Sequence, residues 1–327
     1  MVDPMIKSVV SRREIEHAVT LACRAPSYHN SQPWRWVLDG RTLSLYLDPD
    51  HLVHSDRAGR QGVLSCGAAL DHLRTVLAAD SWRTLIERCP DPHNPHHLAD
   101  ISLRPAEAVS TAQRRLVDAV LTRRTDRLPY GPVRDWPDFQ AVIEMVIGDS
   151  ARLDVIRHEQ HRELAGAAHL AEMFRMFDTE YQAEIDWWTA PFTATTGIPH
   201  SALVSAAEAD RVDIGRGFPV TNSKERRPEL VEDQATVVVL SALGTSTADI
   251  LRCGEAMSMV LLEATAAGLA SGLLTNVTEH VATRDIIHSL TGHDDPQVLI
   301  RIGTAPLLEA VPPPTPRRPL AEVLTVR

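Results

Sequence analysis

Two short stretches of this sequence carry side chains that could hold a flat, negatively charged organic ligand. The first, residues 25–34 (APSYHNSQPW), is framed by Pro26 and Pro33, which fix their own φ angles and restrict the residues before them. This loop is therefore stiff, and it presents short hydrogen-bonding side chains: Ser27, Asn30 and Gln32. Such a frame suits a planar heteroaromatic ring with polar edge atoms. The alternative is a well-ordered, capped turn that binds nothing.

The second stretch is the basic cluster RRTDR at residues 123–127. Alternate residues of an extended segment point the same way, so Arg123, Thr125 and Arg127 share one side. Arginine forks match phosphate oxygens in bidentate fashion, and the threonine hydroxyl can donate one further bond. The alternative is a solvated basic loop whose charges pair with Asp126 and other acids.

A further pair of cations, Arg317 and Arg318, lies in the proline-rich tail VPPPTPRRPL at residues 311–320. Polyproline segments are extended and stiff, so this tail could hold both guanidinium groups near the same phosphate. The alternative is a tail that is solvated along its length.

Signatures of other chemistries are missing from the sequence. It contains no Gly-x-Gly-x-x-Gly, no P-loop and no Gly-x-Ser-x-Gly elbow. The cysteines form no Cys-x-x-Cys pair, and the loop histidines His93, His96 and His97 are more typical of a solvated turn than of a zinc site. His200 is a weak acid–base candidate, so no catalytic residue and no metal site is assigned.

Composition narrows the class of protein. The chain has 327 residues and a formal net charge of -10, which disfavours general nucleic-acid binding because such proteins present a basic surface. No apolar run reaches the roughly 18 residues that cross a bilayer. Residues 1–11 lack a signal-peptide core. These features predict a cytoplasmic protein without a membrane segment.

Hydrophobic periodicity predicts a chain of alternating helices and strands. Helices are expected at 11–25, 63–79, 108–122, 135–147, 159–189, 250–267 and 282–290. Strands are expected at 35–38, 42–47, 85–88, 101–103, 152–156, 236–241, 272–277 and 298–302. The pattern indicates an α+β fold with mixed, mainly antiparallel sheets.

An internal repeat links the two parts of the chain. Residues 64–70 (LSCGAAL) resemble residues 251–257 (LRCGEAM), and the similarity continues at the same offset of 187 positions to Ala79 and Ala266. Chance similarity between two buried helices is the alternative. The second helix is apolar around most of its circumference, so it must be buried on several sides. Two such helices could form a seam between two halves.

These motifs resemble those of nitroreductases, and most of all those of the Acg family of nitroreductase-like proteins. APSYHNSQPW is similar to the loop that touches the flavin ring, and RRTDR to the phosphate-binding Arg-x-Ser/Thr-x-Arg pattern. CGEAMSMVLLEATAAGLASGLLTN resembles the central dimer helix with its following strand, and PRRPL the C-terminal arginine motif. The resemblance covers nearly the whole chain. It implies a nitroreductase-like fold and the cofactor flavin mononucleotide (FMN).

The resemblance also implies a role for each candidate site residue. Pro26, Ser27, Tyr28 and Asn30 would contact the isoalloxazine, with Gln32 in the same loop. Arg123, Thr125 and Arg127 would reach the phosphate, ribityl chain or pyrimidine edge, and Arg127 is the candidate cation at the N1–O2 edge. Arg318, with Arg317, would close on the phosphate, and the backbone near Thr275 and Asn276 would face flavin N5.

An ordinary nitroreductase is a homodimer in which each flavin takes its loop from one subunit and its arginines from the other. Here the loop and the arginine motif each occur once. The resemblance therefore implies two degenerate halves, residues 1–122 and 123–327, that form an intrachain pseudo-dimer with one FMN per chain. Because that interface is internal, the chain is expected to be a monomer or a homodimer.

Residues 187–233 depart from the family pattern and read as a long irregular insertion, of the kind that forms a lid, a surface loop or an oligomer contact. The leading function hypothesis is an FMN-dependent oxidoreductase that carries electrons from NAD(P)H to a nitro compound or quinone. The alternative is an FMN-sequestering protein whose lid-covered site turns over little.

Overall fold

The computed structural model describes residues 9–106, 108–190, 195–306 and 313–327. Some of the sequence-based interpretations fall partly outside these ranges: the N-terminal segment at 1–8, the insertion at 191–194 and the tail at 311–312. In the described ranges helices and strands follow one another largely in the predicted order.

Six of the seven predicted helices lie close to their predicted positions. In chain order the helices are α1 (Arg12–Ala22), α2 (Arg60–Ala79), α3 (Thr111–Thr122), α4 (Trp136–Ile147), α5 (His161–Met176), α6 (Thr179–Trp188), α7 (Ala206–Ala209), α8 (Thr247–Ala266), α9 (Asn276–Glu279), α10 (Val281–Thr291) and α11 (Leu320–Val323). Helices α7, α9 and α11 were not predicted. Local sequence starts several of the helices. Ser11 and Glu14 form a reciprocal capping box at α1, and Ser110 and Gln113 form another at α3.

The strands form two sheets. In chain order they are β1 (Trp34–Asp39), β2 (Thr42–Leu47), β3 (Trp82–Arg88), β4 (His97–Pro105), β5 (Arg152–Val155), β6 (Thr236–Ser241), β7 (Ala270–Leu274), β8 (Pro296–Gly303) and β9 (Leu324–Val326). The first sheet has the order β3-β4-β2-β1-β9 and the second β5-β6-β8-β7. Within these strands only β1 and β9 pair in parallel, so the predicted mixed character belongs to the first sheet.

The two sheets share one connectivity. In each, two paired antiparallel strands are followed by a long buried helix and then by two more strands, the last of which pairs with the second. The helix is α2 in the first sheet and α8 in the second. Removing β9 leaves the strand orders β3-β4-β2-β1 and β7-β8-β6-β5, which are topologically equivalent.

The helices α2 and α8 cross at their two repeat glycines, which allow the backbones to touch. A Cβ on Gly67 would lie 2.2 Å from the carbonyl oxygen of Leu251, and a Cβ on Gly254 would lie 2.2 Å from the carbonyl oxygen of Leu64. Both glycines and both leucines are 187 positions apart, so the contact is reciprocal. The crossing therefore brings the two similar sequence segments into direct contact.

One predicted helix is wrong: the segment 159–189 forms two helices, α5 and α6. Phe177 ends the first, and the side chain of Asp178 accepts a hydrogen bond from the backbone N–H of Tyr181. An aspartate in this position caps a new helix, because it satisfies an N–H that has no partner inside the helix. The sequence FDTEY contains this signal.

The C-terminal end of the chain returns to the first sheet. After the extended residues 313–319, α11 packs beside β1 and β9 pairs with it, with Trp36 opposite Leu324. Val323 is fully buried there. The sequence predicted only an extended tail, and the pairing anchors the residues that precede it.

A continuous apolar core joins the two sheets through α1, α2, α4 and α8. A second cluster lies under α5 and α10, on the other face of the second sheet, and includes Ile214 of the insertion. The described part of the insertion begins with the last two residues of α6 and is otherwise irregular apart from α7 and a single turn at His200–Ala202. Ile214 shows that the insertion is nevertheless anchored in the core.

Candidate functional site

A cavity of about 770 Å³ lies between the loop before β1, the segment after α3, the insertion and the tail. Pockets for cofactor-sized molecules span roughly 300–1,000 Å³. The predicted site residues in its wall are Pro26, Ser27, Tyr28, Asn30, Arg123, Thr125, Arg127, Thr275 and Arg317. The remaining three, Gln32, Asn276 and Arg318, do not line it. Both motifs of the sequence thus meet at one cavity.

The loop before β1 is held in a strained conformation. His29, Asn30 and Gln32 have φ angles of 50°, 59° and 55°, in the left-handed region that non-glycine residues seldom adopt. The hydroxyl of Ser27 accepts a hydrogen bond from the backbone N–H of Gln32 at 3.0 Å and closes the turn. Strain of this kind persists where surrounding contacts over-determine the backbone, and it concentrates at binding sites.

Three of the predicted residues brace this loop. The amide nitrogen of Asn30 donates to the carbonyl oxygens of Gly197 in the insertion and Pro316 in the tail, at 3.0 and 3.1 Å. The side chain of Gln32 accepts from the backbone N–H of Arg318 at 2.8 Å, and Arg318 Nη1 donates to the Gln32 carbonyl at 3.0 Å. Gln32 and Arg318 therefore join the tail to the loop from behind the cavity wall.

At one end of the cavity three guanidinium groups face one another. Arg24 and Arg317 donate to backbone carbonyl oxygens, while Arg123 is 8% exposed and its Nε has no partner. Burial and the neighbouring Arg24 lower the pKa of Arg123 to about 10. Burial, Arg123 and Arg24 lower the pKa of Arg317 to about 9. In the described ranges no carboxylate forms an ion pair with any of the three.

This cluster fits a phosphate group. Uncompensated cations that are held together away from water are unfavourable, and an anion with several acceptor oxygens relieves both the repulsion and the desolvation. The orphaned Nε of Arg123 is a donor that such an anion would satisfy. His72, which is buried beside the cluster, has its pKa lowered by burial and by Arg123, so it stays neutral.

Arg127 supplies a separate cation elsewhere in the wall. Its Nη1 donates to the carbonyl oxygen of Ala202 at 3.2 Å, and its guanidinium lies 4.8 Å from the centre of the Phe218 ring. Burial lowers its pKa to about 10. The intervening Asp126 pairs with Arg227 of the insertion at 2.6 Å, rather than with the arginines beside it in the sequence. Arg127 therefore has no ion-pair partner among the residues described.

Arg216, which no sequence motif marks, is a buried junction between the insertion, the loop before β1 and the helices α6 and α9. Its guanidinium donates to the hydroxyls of Tyr28 and Tyr181, each at 2.7 Å, and forms an ion pair with Glu279 at 3.0 Å. Arg175 contacts the same carboxylate at 3.0 Å. No local pattern marks this arginine in the sequence, since its partners come from distant segments.

Thr275 and Asn276 differ in what they face. Thr275, at the end of β7, lines the cavity, and its hydroxyl donates to Glu279 at 3.2 Å. The amide nitrogen of Asn276 donates to Glu172 and to the carbonyl oxygen of Gly215, both at 3.0 Å. Asn276 thus ties the insertion to the start of α9.

Within the described residues, no three His, Cys, Asp or Glu side chains are arranged to hold a metal ion. His97, from the histidine-rich turn, instead contacts Asp100 at 2.8 Å and stacks on Tyr46. None of the described helices combines the length and apolar character needed to cross a membrane.

Comparison with known proteins identifies the family. The sequence is 48% identical over 326 residues to "Putative NAD(P)H nitroreductase acg" of Mycobacterium tuberculosis H37Rv, covering 99% of this chain and 98% of that protein. It is 46% identical over 320 residues to "Uncharacterized protein Rv3127" of the same strain, covering 96% and 93%. Identity at this level over nearly the whole of both chains means that this protein belongs to the Acg family of nitroreductase-like proteins.

No family model matches the sequence. The solved structure of the FMN and NADPH-dependent nitroreductase NfnB from sphigopyxis sp. strain HMH is similar to this chain with a TM-score of 0.42 and 15% sequence identity, covering 64% of this chain and 97% of that one.

Proposed function

We propose that the chain binds one FMN in this cavity and acts as a flavin oxidoreductase that carries electrons from NAD(P)H to a nitro compound or a quinone. The observation that carries the proposal is the buried arginine cluster, without an ion-paired acid in the described residues, beside a strained loop that presents polar atoms to the same cavity. When bound, FMN would accept hydride from a reduced nicotinamide and pass it to the acceptor.

The arginine cluster would hold the phosphate. Arg123 offers the unpartnered Nε, while Arg317 and Arg24 add positive charge from the tail and from the end of α1. Thr125, in the same wall, is placed to donate to the phosphate or the ribityl chain. Arg318 and Gln32 would act through the backbone, because their contacts hold the tail against the loop.

The loop and its neighbours would hold the ring. Ser27 and Tyr28 line the cavity from one side, and Thr275 lines it from the end of β7. Arg127 would face the pyrimidine edge, where a cation stabilises negative charge on the reduced ring. The polar side chains would orient the ring and exclude water from it. No acid–base side chain is required of the protein in this scheme.

We further propose that residues 1–122 and 123–327 are two degenerate halves arranged as a pseudo-dimer, with the segment 187–233 inserted in the second. The equivalent sheet connectivity and the reciprocal crossing at Gly67 and Gly254 support this division. The return of β9 to the first sheet adds an exchange between the halves. We expect the chain to act in the cytoplasm as a monomer or a homodimer.

The stoichiometry of one FMN is supported by the residues that lie 187 positions before those of the cavity wall. The counterpart of Thr275 is Arg88, which pairs with Glu255 through two contacts of 2.7 Å. An ion pair with a buried carboxylate therefore occupies the region where a symmetric chain would keep a second ligand site.

The alternative function, storage of FMN with little turnover, is favoured by the insertion. Arg216 and Phe218 lie in the cavity wall, and Arg216 is fixed by Tyr28, Tyr181 and Glu279. A wall held this firmly would keep a nicotinamide from reaching the ring.

Two measurements test the proposal. The flavin-to-protein ratio of the purified chain, from its visible absorbance, should be one, and a colourless chain that takes up no FMN would refute flavin binding. The FMN-loaded chain is then mixed anaerobically with NADPH. Rapid bleaching supports the oxidoreductase, whereas reduction by dithionite alone supports the storage protein.

A further inference from the structure

Arg127 couples the cavity to the insertion. Its guanidinium donates to the carbonyl oxygen of Ala202 at 3.2 Å and lies 4.8 Å from the centre of the Phe218 ring. Both of these residues belong to the insertion. The cation and the insertion cannot move independently while these contacts last. Any change in the charge that faces Arg127 therefore changes how firmly the insertion is held.

Among the lining arginines, Arg127 differs from those that belong to the insertion. Arg216 is neutralised by Glu279 at 3.0 Å and Arg226 by Glu208 at 2.9 Å, whereas no ion pair is formed by Arg127 within the described ranges. The cluster of Arg24, Arg123 and Arg317 suits the phosphate of FMN. Arg127 is then the cation left for the other charged part of the ligand, its pyrimidine edge.

The negative charge at that edge depends on the oxidation state. Uptake of a hydride, which is two electrons and one proton delivered together by a reduced nicotinamide or an equivalent reductant, adds one negative charge to bound FMN. The ring carries this charge on its N1–O2 edge.

We infer that reduction of bound FMN tightens the insertion over the cavity, and that closure of the insertion in turn raises the reduction potential of FMN. This inference rests on the proposed binding of FMN. With the insertion in place, Arg127 is partly buried behind Ala202 and Phe218, and burial of its uncompensated charge is unfavourable. A new negative charge beside it offsets that penalty strongly in a shielded site and weakly in an open, hydrated one.

The reciprocal effect follows from linkage. If reduction favours the closed insertion, closure must favour the reduced FMN by the same factor, because both are binding equilibria of one molecule. The lowered pKa of Arg127, about 10, agrees with a cation whose charge is poorly compensated in the closed arrangement. The insertion would thus retain reduced FMN more firmly than oxidised FMN.

A protease that cuts after lysine gives a direct readout. Lys7 and Lys224 are the lysines of this chain, and Lys224 is exposed within the insertion. Cleavage needs several residues of extended backbone, so its rate at Lys224 reports opening of the insertion. We expect cleavage of the FMN-loaded full chain, under anaerobic conditions, to be several-fold slower after reduction by dithionite. The chain without FMN, treated alike, controls for an effect of dithionite on the protease.

Two variants distinguish an effect of the charge on Arg127 from a general loosening of the insertion. Arg127→Gln keeps a hydrogen-bond donor without the charge, so the two oxidation states should be cut at equal rates and the FMN midpoint potential should fall. Arg216→Gln removes an insertion arginine that is already paired, so both rates should rise while their ratio persists.

The outcomes are distinct. Equal cleavage rates for the oxidised and reduced wild-type chain would overturn the inference and leave FMN binding intact. The same holds if the ratio of the two rates persists in Arg127→Gln or disappears in Arg216→Gln. A chain that takes up no FMN would overturn the proposed function itself, and this inference with it.

Discussion

The arginines around the cavity differ in whether a carboxylate neutralises their charge. This difference separates arginines that could bind an anionic ligand from arginines that hold the wall in place. Arg216 and Arg227 each meet a buried carboxylate, at 3.0 and 2.6 Å. Arg123 meets none among the residues described, although it is buried. Because a buried charge without a partner is strongly unfavourable, an unpaired buried arginine that faces a cavity indicates an anionic ligand. Residue type alone does not make this distinction.

We expect Arg123→Ala to weaken FMN binding by about 1.5–3 kcal/mol, the usual range for a hydrogen bond to a charged group, and hence roughly 10- to 150-fold in Kd. Fluorescence titration of the FMN-free chain measures this. Arg157→Ala is the matched control, because the side chain of Arg157 is 66% exposed and pairs with the exposed Glu159. Unchanged affinity in Arg123→Ala would move the phosphate away from this cluster.

The two central helices, α2 and α8, determine how far apart the segments that line the cavity lie. α2 contributes Gln61, Leu64 and Ser65 to the wall, and α8 contributes Met257 and Thr265. Their close crossing depends on glycine, because any Cβ at the two crossing positions would overlap a carbonyl oxygen of the other helix. The loops can be placed accurately only because these helices are fixed.

Gly67→Ala should therefore destabilise the fold, by roughly 1–3 kcal/mol or more, as expected for overpacking a rigid core. Gly166→Ala in α5 is the control. A Cβ there meets nothing within 4 Å, and alanine should stabilise the helix by about 0.5–1 kcal/mol. Chemical denaturation of both variants gives the comparison, and a stable Gly67→Ala would show that the two helices can separate without penalty.

The insertion carries a carboxylate whose titration should control its stability. Burial of Glu208 acts to raise its pKa, but hydrogen bonds from Arg226 and from backbone N–H groups outweigh burial and lower it to about 2, from 4.5. Because the folded pKa is the lower one, the stabilisation is complete above about pH 4.5 and is lost as the pH falls toward 2.

We expect Glu208→Gln to unfold at lower denaturant than the wild type at pH 7, with a gap that is constant down to about pH 5 and narrows below. Glu159→Gln, which alters an exposed ion pair, should show little difference at any pH. A gap for Glu208→Gln that does not depend on pH would mean that the carboxylate acts by shape rather than by charge.

In the whole molecule, two sheets of equivalent connectivity accompany a cavity whose wall comes from both parts of the chain. The insertion, the tail and the arginine segment all belong to the second part of the chain, while the strained loop belongs to the first. At the place related by the offset, Arg88 and Glu255 form a buried pair.

We expect Arg88→Met to destabilise the chain by about 3–5 kcal/mol, because it leaves the Glu255 carboxylate buried without its partner. The double variant Arg88→Met with Glu255→Leu should recover most of that loss, and the flavin-to-protein ratio should remain one in both. Denaturation curves and visible absorbance measure these outcomes. A double variant as unstable as the single one would show that the two residues are not coupled.

The sequence by itself determined the local features. The strand and helix order, the stiff loop at 25–34 and the repeat at an offset of 187 all depend on neighbouring residues or on periodicity, which a sequence displays directly. The resemblance of its motifs indicated the family that the comparisons then established. The sequence also contains the helix-capping signal at Asp178, although the segment 159–189 was predicted as one continuous helix.

Only the tertiary structure decided which charges are paired. Asp126 pairs with Arg227, and Arg216 pairs with Glu279, although each partner is far away in the chain. The pairing of strand β9 with β1 also joins distant segments. The strained φ angles of the loop likewise depend on contacts with the tail and the insertion. Such pairings depend on the geometry of the whole fold, because desolvation and Coulomb energies are set by distance in space and not by distance along the chain.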